Sequence, residues 1–235
     1  MRRPLAPALV LAALVLAGCG DGSPMFGAED DLPAAATTAA PETGAECEEP
    51  PAPPSSPPQF SQADLPAPHP GDPATVTATL GTTCGDIVLE LFADRAPQTV
   101  ASFTFLADEG YWDDSPCHRL TTQGIYVLQC GDPTGTGRGN PGYGYGIENA
   151  PPDGLYPPGT LAMARTQDPN SNGGQFFLVY DHTQLPVDGG GYSIFGQVTE
   201  GLELVEAVAR QGGQGGAPDG APAQPISILT VDVQD

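Results

Sequence analysis

Apolar and polar residues alternate in short blocks through most of the second two thirds of this chain. Val76, Ala78 and Leu80 alternate with threonines, and Ile87, Leu89 and Leu91 alternate with Asp86, Val88 and Glu90. A period of two is the mark of a half-buried strand, so both segments are expected to be strands. Pro97 opens a different pattern. Val100, Phe103 and Ala107 recur at helical spacing, a proline is tolerated at the first helical position, and Gly110 can end the helix. Further short strands are expected near 117–121, 125–131, 159–164, 175–180 and 193–199. Leu204, Val205 and Val208 predict a second helix, and Leu229, Val231 and Val233 a final strand. Many short strands, two separated helices and Gly/Pro-rich connections indicate an all-β barrel or sandwich. Residues 73–235 number 163, enough for one core.

Upstream the pattern disappears. Twelve prolines fall within residues 19–72, among small and acidic residues. Runs such as Pro50-Pro51-Ala52-Pro53-Pro54 favour extended polyproline II geometry, and few large apolar side chains are available to bury. The segment is expected to be a disordered spacer rather than a proline-rich ligand for another module. Before it, Arg2 and Arg3 precede an apolar run from Leu5 to Leu16 that is too short to span a bilayer, which needs roughly 20 residues. Leu16-Ala17-Gly18-Cys19 then resembles a bacterial lipobox, in which the cysteine is lipidated and becomes the new N-terminus. Residues 1–18 are therefore expected to be a lipoprotein signal. Cys19 is expected to anchor an exported protein to the outer face of the cytoplasmic membrane.

All seven basic residues are arginine, and the formal charge is −22. Loss of Arg2 and Arg3 with the signal would make it −24, which argues against nucleic acid and anionic headgroups as partners. Four cysteines besides Cys19 (Cys47, Cys84, Cys117 and Cys130) in an exported chain suggest at least one disulfide. If Arg119 and Gln129 share the outer face of a hairpin, strand parity turns Cys117 outward and Cys130 inward. Cys117–Cys130 is then the least expected pair. The three histidines are scattered, and no metal site or cofactor is expected. His118 alternates with Arg119 and is expected to face inward as a structural residue. Gly135-Thr136-Gly137-Arg138-Gly139 lacks the lysine and setting of a phosphate loop, and reads as a surface loop.

The residues that could carry chemistry fall in three clusters. The first holds Cys117-His118-Arg119-Leu120 and Val127-Leu128-Gln129-Cys130-Gly131-Asp132, the second Asn172-Gly173-Gly174-Gln175-Phe176-Phe177, and the third Tyr192-Ser193-Ile194-Phe195-Gly196. A guanidinium, amides and apolar rings suit polarisation and shape rather than proton transfer. In order and spacing these clusters resemble the cyclophilins, the peptidyl-prolyl cis-trans isomerases. The resemblance covers nearly all of 73–235. It implies an eight-stranded antiparallel barrel capped by two α-helices, acting as a monomer on proline-containing polypeptides. It gives Arg119 the catalytic role, Gln129 and Gln175 substrate contacts, and Phe177 the floor of the proline pocket. Met163 and Ala164 match the strand whose backbone holds the residue before proline. Tyr126 and Val127 stand where the best-known eukaryotic members have Phe-Met, and Arg165 stands in place of an asparagine. Leu185 replaces a tryptophan that helps bind cyclosporin, and Tyr192 a histidine, so weak cyclosporin binding is expected. Two other readings compete with the isomerase. A non-catalytic module that holds proline-containing segments of a cell-envelope partner would not need Arg119. A solute-binding lipoprotein would suit the anchor but not this strand pattern.

Overall fold

Val76–Thr82 (β1) and Gly85–Leu91 (β2) pair antiparallel across a two-residue turn, with Thr82 opposite Gly85. Their alternation has the expected outcome: Val76, Ala78, Leu80, Ile87, Leu89 and Leu91 are all buried. In this computed structural model, which describes residues 47–234, the remaining elements follow in chain order. They are α1 (Pro97–Asp108), β3 (Ser115–Pro116), β4 (Arg119–Gln123), β5 (Ile125–Cys130), β6 (Leu155–Tyr156), β7 (Thr160–Met163), β8 (Phe176–Val179), β9 (Thr183–Gln184), β10 (Ile194–Glu200), α2 (Leu202–Arg210), β11 (Asp219–Gly220) and β12 (Ser227–Gln234).

Eight of the strands (β1, β2, β4, β5, β7, β8, β10 and β12) form the body of one curled antiparallel sheet. Its order is β11-β4-β5-β8-β7-β10-β2-β1-β12-β3. Chain continuity joins the two ends of that order, because β3 runs on toward β4 and β11 toward β12. The inner face carries Leu120, Leu128, Leu161, Met163, Phe176, Leu178 and Phe195. Helix α1 lays Val100, Phe103 and Leu106 against them. Phe103 sits 4.6 Å from Trp112, 5.8 Å from Phe176 and 5.5 Å from Phe195, centroid to centroid. Trp112 donates its indole N–H to the Gly174 carbonyl at 3.0 Å, so the buried ring leaves no unsatisfied donor.

Both ends of α1 have identifiable partners. Pro97 occupies the first turn, and the Glu148 carboxylate accepts the free N–H groups of Gln98 (3.0 Å) and Thr99 (2.8 Å). A negative group there also meets the positive end of the helix dipole. Gly110, at φ 63°, closes the far end with its N–H on the Ala107 carbonyl.

Two expectations need correction. The segment from 47 to 72 forms no strand or α-helix, but it is docked along the domain rather than free. Cys47 is disulfide-bonded to Cys84, and Glu48 N–H donates to Thr83 O at 2.7 Å. The Phe60 ring lies 5.0 Å from Phe105 and 6.4 Å from Tyr111, and its N–H donates to Pro141 O. Gln62 exchanges side-chain hydrogen bonds with the backbone of Gly144, and Gln98 donates to Pro66 O. Gly142, at φ 107°, must be glycine because a Cβ there would collide with the Phe60 carbonyl. A single aromatic anchor and a disulfide outweigh a composition that, averaged over 54 residues, looks unfoldable. The part of the spacer before residue 47, with the signal and Cys19, lies outside the described residues.

The second correction concerns the other disulfide, which joins Cys117 to Cys130, the pair that parity disfavoured. The parity holds on the ladder itself, where Arg119 opposes Gln129 and Leu120 opposes Leu128. Cys117 is not on that ladder. Strand pairing is interrupted between β3 and β4, and Cys117 N–H bonds instead to Ile226 O. Freed from alternation, Cys117 turns inward, and both cysteines are buried.

Candidate active site

The outer face of the sheet carries one continuous row. Arg119 on β4 opposes Gln129 on β5, which opposes Phe177 on β8, which opposes Ala162 on β7, which opposes Ile194 on β10. These are the partners of the inward-facing leucines, displaced by one residue, so the pleat that builds the core also builds the site. Val127, Tyr156, Ala162, Phe177, Val179 and Leu185 pack as a second apolar cluster on this outer face, separate from the core. Above it opens a cavity of about 210 Å³, lined by Arg119, Ile125, Val127, Gln129, Ala164, Arg165, Phe177, Leu185 and Tyr192.

A chain of hydrogen bonds holds the polar side of this cavity. Arg119 grips Asp219 with two parallel bonds, Nε to Oδ1 and Nη2 to Oδ2, each 2.7 Å. Its Nη1 donates to Gln129 Oε1 at 3.1 Å. Gln129 Nε2 donates to Gln175 Oε1 at 2.9 Å, and Gln175 Nε2 to Gly139 O at 2.9 Å. Asp219 holds the guanidinium pKa above its already high ordinary value, and partial burial only partly opposes this. The arginine in turn holds the Asp219 carboxyl below its usual range. Arg119 is thus a permanent cation, fixed in plane and unable to serve as an acid.

A second cavity of about 350 Å³ adjoins the first and shares Gln129, Ala164 and Arg165 with it. Gln175 and the 137–140 loop line its other side. That loop is pinned by the fully buried Asp132. Its Oδ1 accepts from the Thr134 N–H and hydroxyl, and its Oδ2 accepts from the Arg138 N–H and the Thr136 hydroxyl. Burial pushes the Asp132 pKa up, but these donors and the Gly139 N–H more than offset it, and the net direction is down. The loop's anchorage is therefore full above the unfolded carboxylate value near 3.8. It is lost as the pH falls through the lower native value. Gly131, at φ 89°, has no room for a Cβ because the Gly174 carbonyl is already there. His118 sits beside Gly137 of the same loop. Among the described residues its buried ring nitrogens meet no hydrogen-bond partner, and burial pushes its pKa down.

Of the residues singled out in the sequence, Arg119, Val127, Gln129, Ala164, Arg165, Phe177, Leu185 and Tyr192 meet around the first cavity. Gln175 faces the second. Two fall elsewhere. Met163 belongs to the inner core, with its N–H on Ser193 O. Tyr126 stacks edge-on against Tyr180 at 6.0 Å, and its neighbour Ile125 lines the cavity instead. The parity of β5 accounts for this, since Ile125, Val127 and Gln129 share one face. Arg165 does more than lend backbone. It donates to the carbonyls of Gly191 (2.7 Å), Thr166 (2.8 Å) and Gly189 (3.1 Å), and lies 4.9 Å over the Tyr192 ring. Tyr156, absent from the sequence reading, clasps Tyr192 by accepting its N–H and donating to its carbonyl. Asp219 was also missed. It lies 100 residues from Arg119 in a Pro-Asp-Gly run that reads only as a turn.

A family model described as cyclophilin type peptidyl-prolyl cis-trans isomerase/CLD matches residues 76–233. This chain is a member of the cyclophilin family. It is 44% identical over 172 residues to a probable peptidyl-prolyl cis-trans isomerase B of Mycobacterium leprae, covering 68% of this chain and 57% of that one. Against the corresponding Mycobacterium tuberculosis protein the identity is 40% over 205 residues, 80% of this chain and 64% of the relative. The chain therefore spans less than two thirds of the length of both these cyclophilins. It covers 93% of a peptidyl-prolyl cis-trans isomerase A of M. tuberculosis, at 37% identity and over 68% of its own length. A crystal structure of a Cryptosporidium parvum cyclophilin superposes with a TM-score of 0.58 at 30% identity, over 68% of this chain and 98% of that one. The same cyclophilin has been solved in the presence of the dipeptide Ala-Pro.

Proposed function

We propose that this domain is a peptidyl-prolyl cis-trans isomerase acting on Xaa-Pro bonds of exported polypeptides. The observation that carries the reading is a fixed guanidinium at the rim of an apolar cavity floored by Phe177. Amide resonance sets an isomerisation barrier of roughly 18–20 kcal/mol. As the bond twists, the prolyl nitrogen loses conjugation and gains a lone pair. A donor that meets this nitrogen binds the twisted amide more tightly than either planar isomer, which is the condition for catalysis. Phe177, Val127, Ile125 and Leu185 would hold the prolyl ring while Gln129 and Gln175 orient the backbone on either side. No step requires a base, in keeping with the neutral, shielded His118.

The test is a protease-free isomerisation assay on a short Xaa-Pro peptide. Catalysed interconversion is expected. Peptide binding without acceleration would leave the domain as a module that holds proline-containing segments.

The proposal extends to location. Pairing of all four cysteines Cys47, Cys84, Cys117 and Cys130 fits an oxidising compartment outside the cytoplasm. We place the protein on the outer face of the cytoplasmic membrane, held by lipid on Cys19. Cys19→Ser is expected to release it from the membrane fraction or block processing. A mature N-terminus found by mass spectrometry at another, unmodified residue would reject the anchor.

A further inference from the structure

Asp219 is the most closely held partner of Arg119, yet nothing in the amide-twisting reaction calls for a carboxylate. It sits on β11, a two-residue strand reached from α2 through a single 3-10 turn at Gln214–Gly216. Backbone pairing of Asp219 with Thr121 and of Gly220 with Leu120 lays β11 against β4 at the end of the sheet. The carboxylate therefore arrives beside Arg119 from backbone that is paired into the sheet. Both oxygens are engaged in the fork-to-fork geometry that a carboxylate and a guanidinium share. Of the five N–H groups of the guanidinium, Asp219 takes two and Gln129 one. Among the described residues, one N–H on Nη1 and one on Nη2 meet no acceptor and are left for substrate. Without the pair, a side chain 37% exposed to solvent would be free to sample several rotamers.

We infer that Asp219 is a positioning residue for the reaction: it selects the one orientation of Arg119 in which the two unused N–H groups face the prolyl nitrogen. The inference rests on the guanidinium reading of the proposed function. Pairing with a carboxylate lowers the net charge at the site, which would by itself weaken the pull on the developing lone pair. Placement outweighs it, because a donor displaced by about 1 Å can forfeit as much as 100-fold in rate. An ordinary surface ion pair, the alternative, would contribute little to anything.

The experiment is a double-mutant cycle on the full domain, read as kcat and KM for a short Xaa-Pro peptide. Asp219→Asn, which keeps shape and loses charge, and Asp219→Ala are both expected to lower kcat by roughly 10- to 100-fold, with KM within about twofold. Asp219→Glu should recover part of the loss. In an Arg119→Ala background, Asp219→Ala should cost nothing more, because there is no guanidinium left to place. Wild-type or raised kcat in Asp219→Ala, or an equal fractional loss in both backgrounds, would overturn the inference while leaving the role of Arg119 intact. Full turnover in Arg119→Ala alone would instead remove the reading beneath it. Should Asp219→Ala fold poorly, Asp219→Asn in both backgrounds closes the same cycle.

Discussion

Arg119→Ala is expected to lower kcat by roughly 100- to 1000-fold, the usual cost of deleting one preorganised electrostatic stabiliser, with little change in KM. The asymmetry follows from where the interaction is made. In the ground state the prolyl nitrogen is conjugated and a poor acceptor, so the guanidinium contributes little to peptide binding. It contributes fully only as the amide twists. Arg119→Lys should recover a minor part. An ammonium keeps the charge but cannot engage Asp219, Gln129 and substrate in one plane. Phe177→Ala is the counterpart. It removes a buried ring from the cavity floor and should raise KM as well as lower kcat. The protease-free assay run over a range of peptide concentrations separates the two quantities. Full activity in Arg119→Ala would contradict the mechanism.

The second large effect is on stability. Cys47→Ala with Cys84→Ala opens a loop with a sequence separation of 37. On the chain-entropy account this removes about 4 kcal/mol. Cys117→Ala with Cys130→Ala opens a separation of 13, for which the same account gives about 3 kcal/mol. For a domain of this size, 4 kcal/mol corresponds to a fall in Tm of roughly 8–15 °C. Thermal unfolding of both variants tests the magnitude and the order. An unchanged Tm in the Cys47/Cys84 variant would mean that the docked segment is held by Phe60 and its hydrogen bonds, and that the disulfide adds nothing.

The strands and helices were legible because a period of two and a period of 3.6 are each enforced by one buried face. Val76 to Leu80, Ile87 to Leu91 and Val100 to Leu106 state those periods directly. The site residues were named through the cyclophilin resemblance of three short clusters; alternation adds that Arg119, Gln129 and Phe177 share one face of the sheet. What escaped depended on strand interruptions and on distant pairing. Cys117 lies in a gap between strands, where alternation carries no information. Tyr126 was named with Val127 from the resemblance alone, and the register of β5 instead puts Ile125 on the face of Val127 and Gln129. Asp219 and Tyr156 act on residues 100 and 36 positions away, and no local pattern signals such a partner. Docking of 47–72 escaped because composition averages over a segment, whereas attachment depended on Phe60, Gln62 and Cys47 individually.

Under the proposed lipid anchor at Cys19, the fastening of Cys47 to Cys84 would also set a radius of action. A chain anchored at Cys19 and free to residue 72 could extend, at 3.3–3.6 Å per residue, to roughly 180–195 Å from the bilayer. With Cys47 bonded to Cys84, the contour length from a proposed anchor at Cys19 to the domain counts residues 19–46 alone, roughly 90–100 Å at the same rise. The catalytic face would then sweep a shell about half as deep.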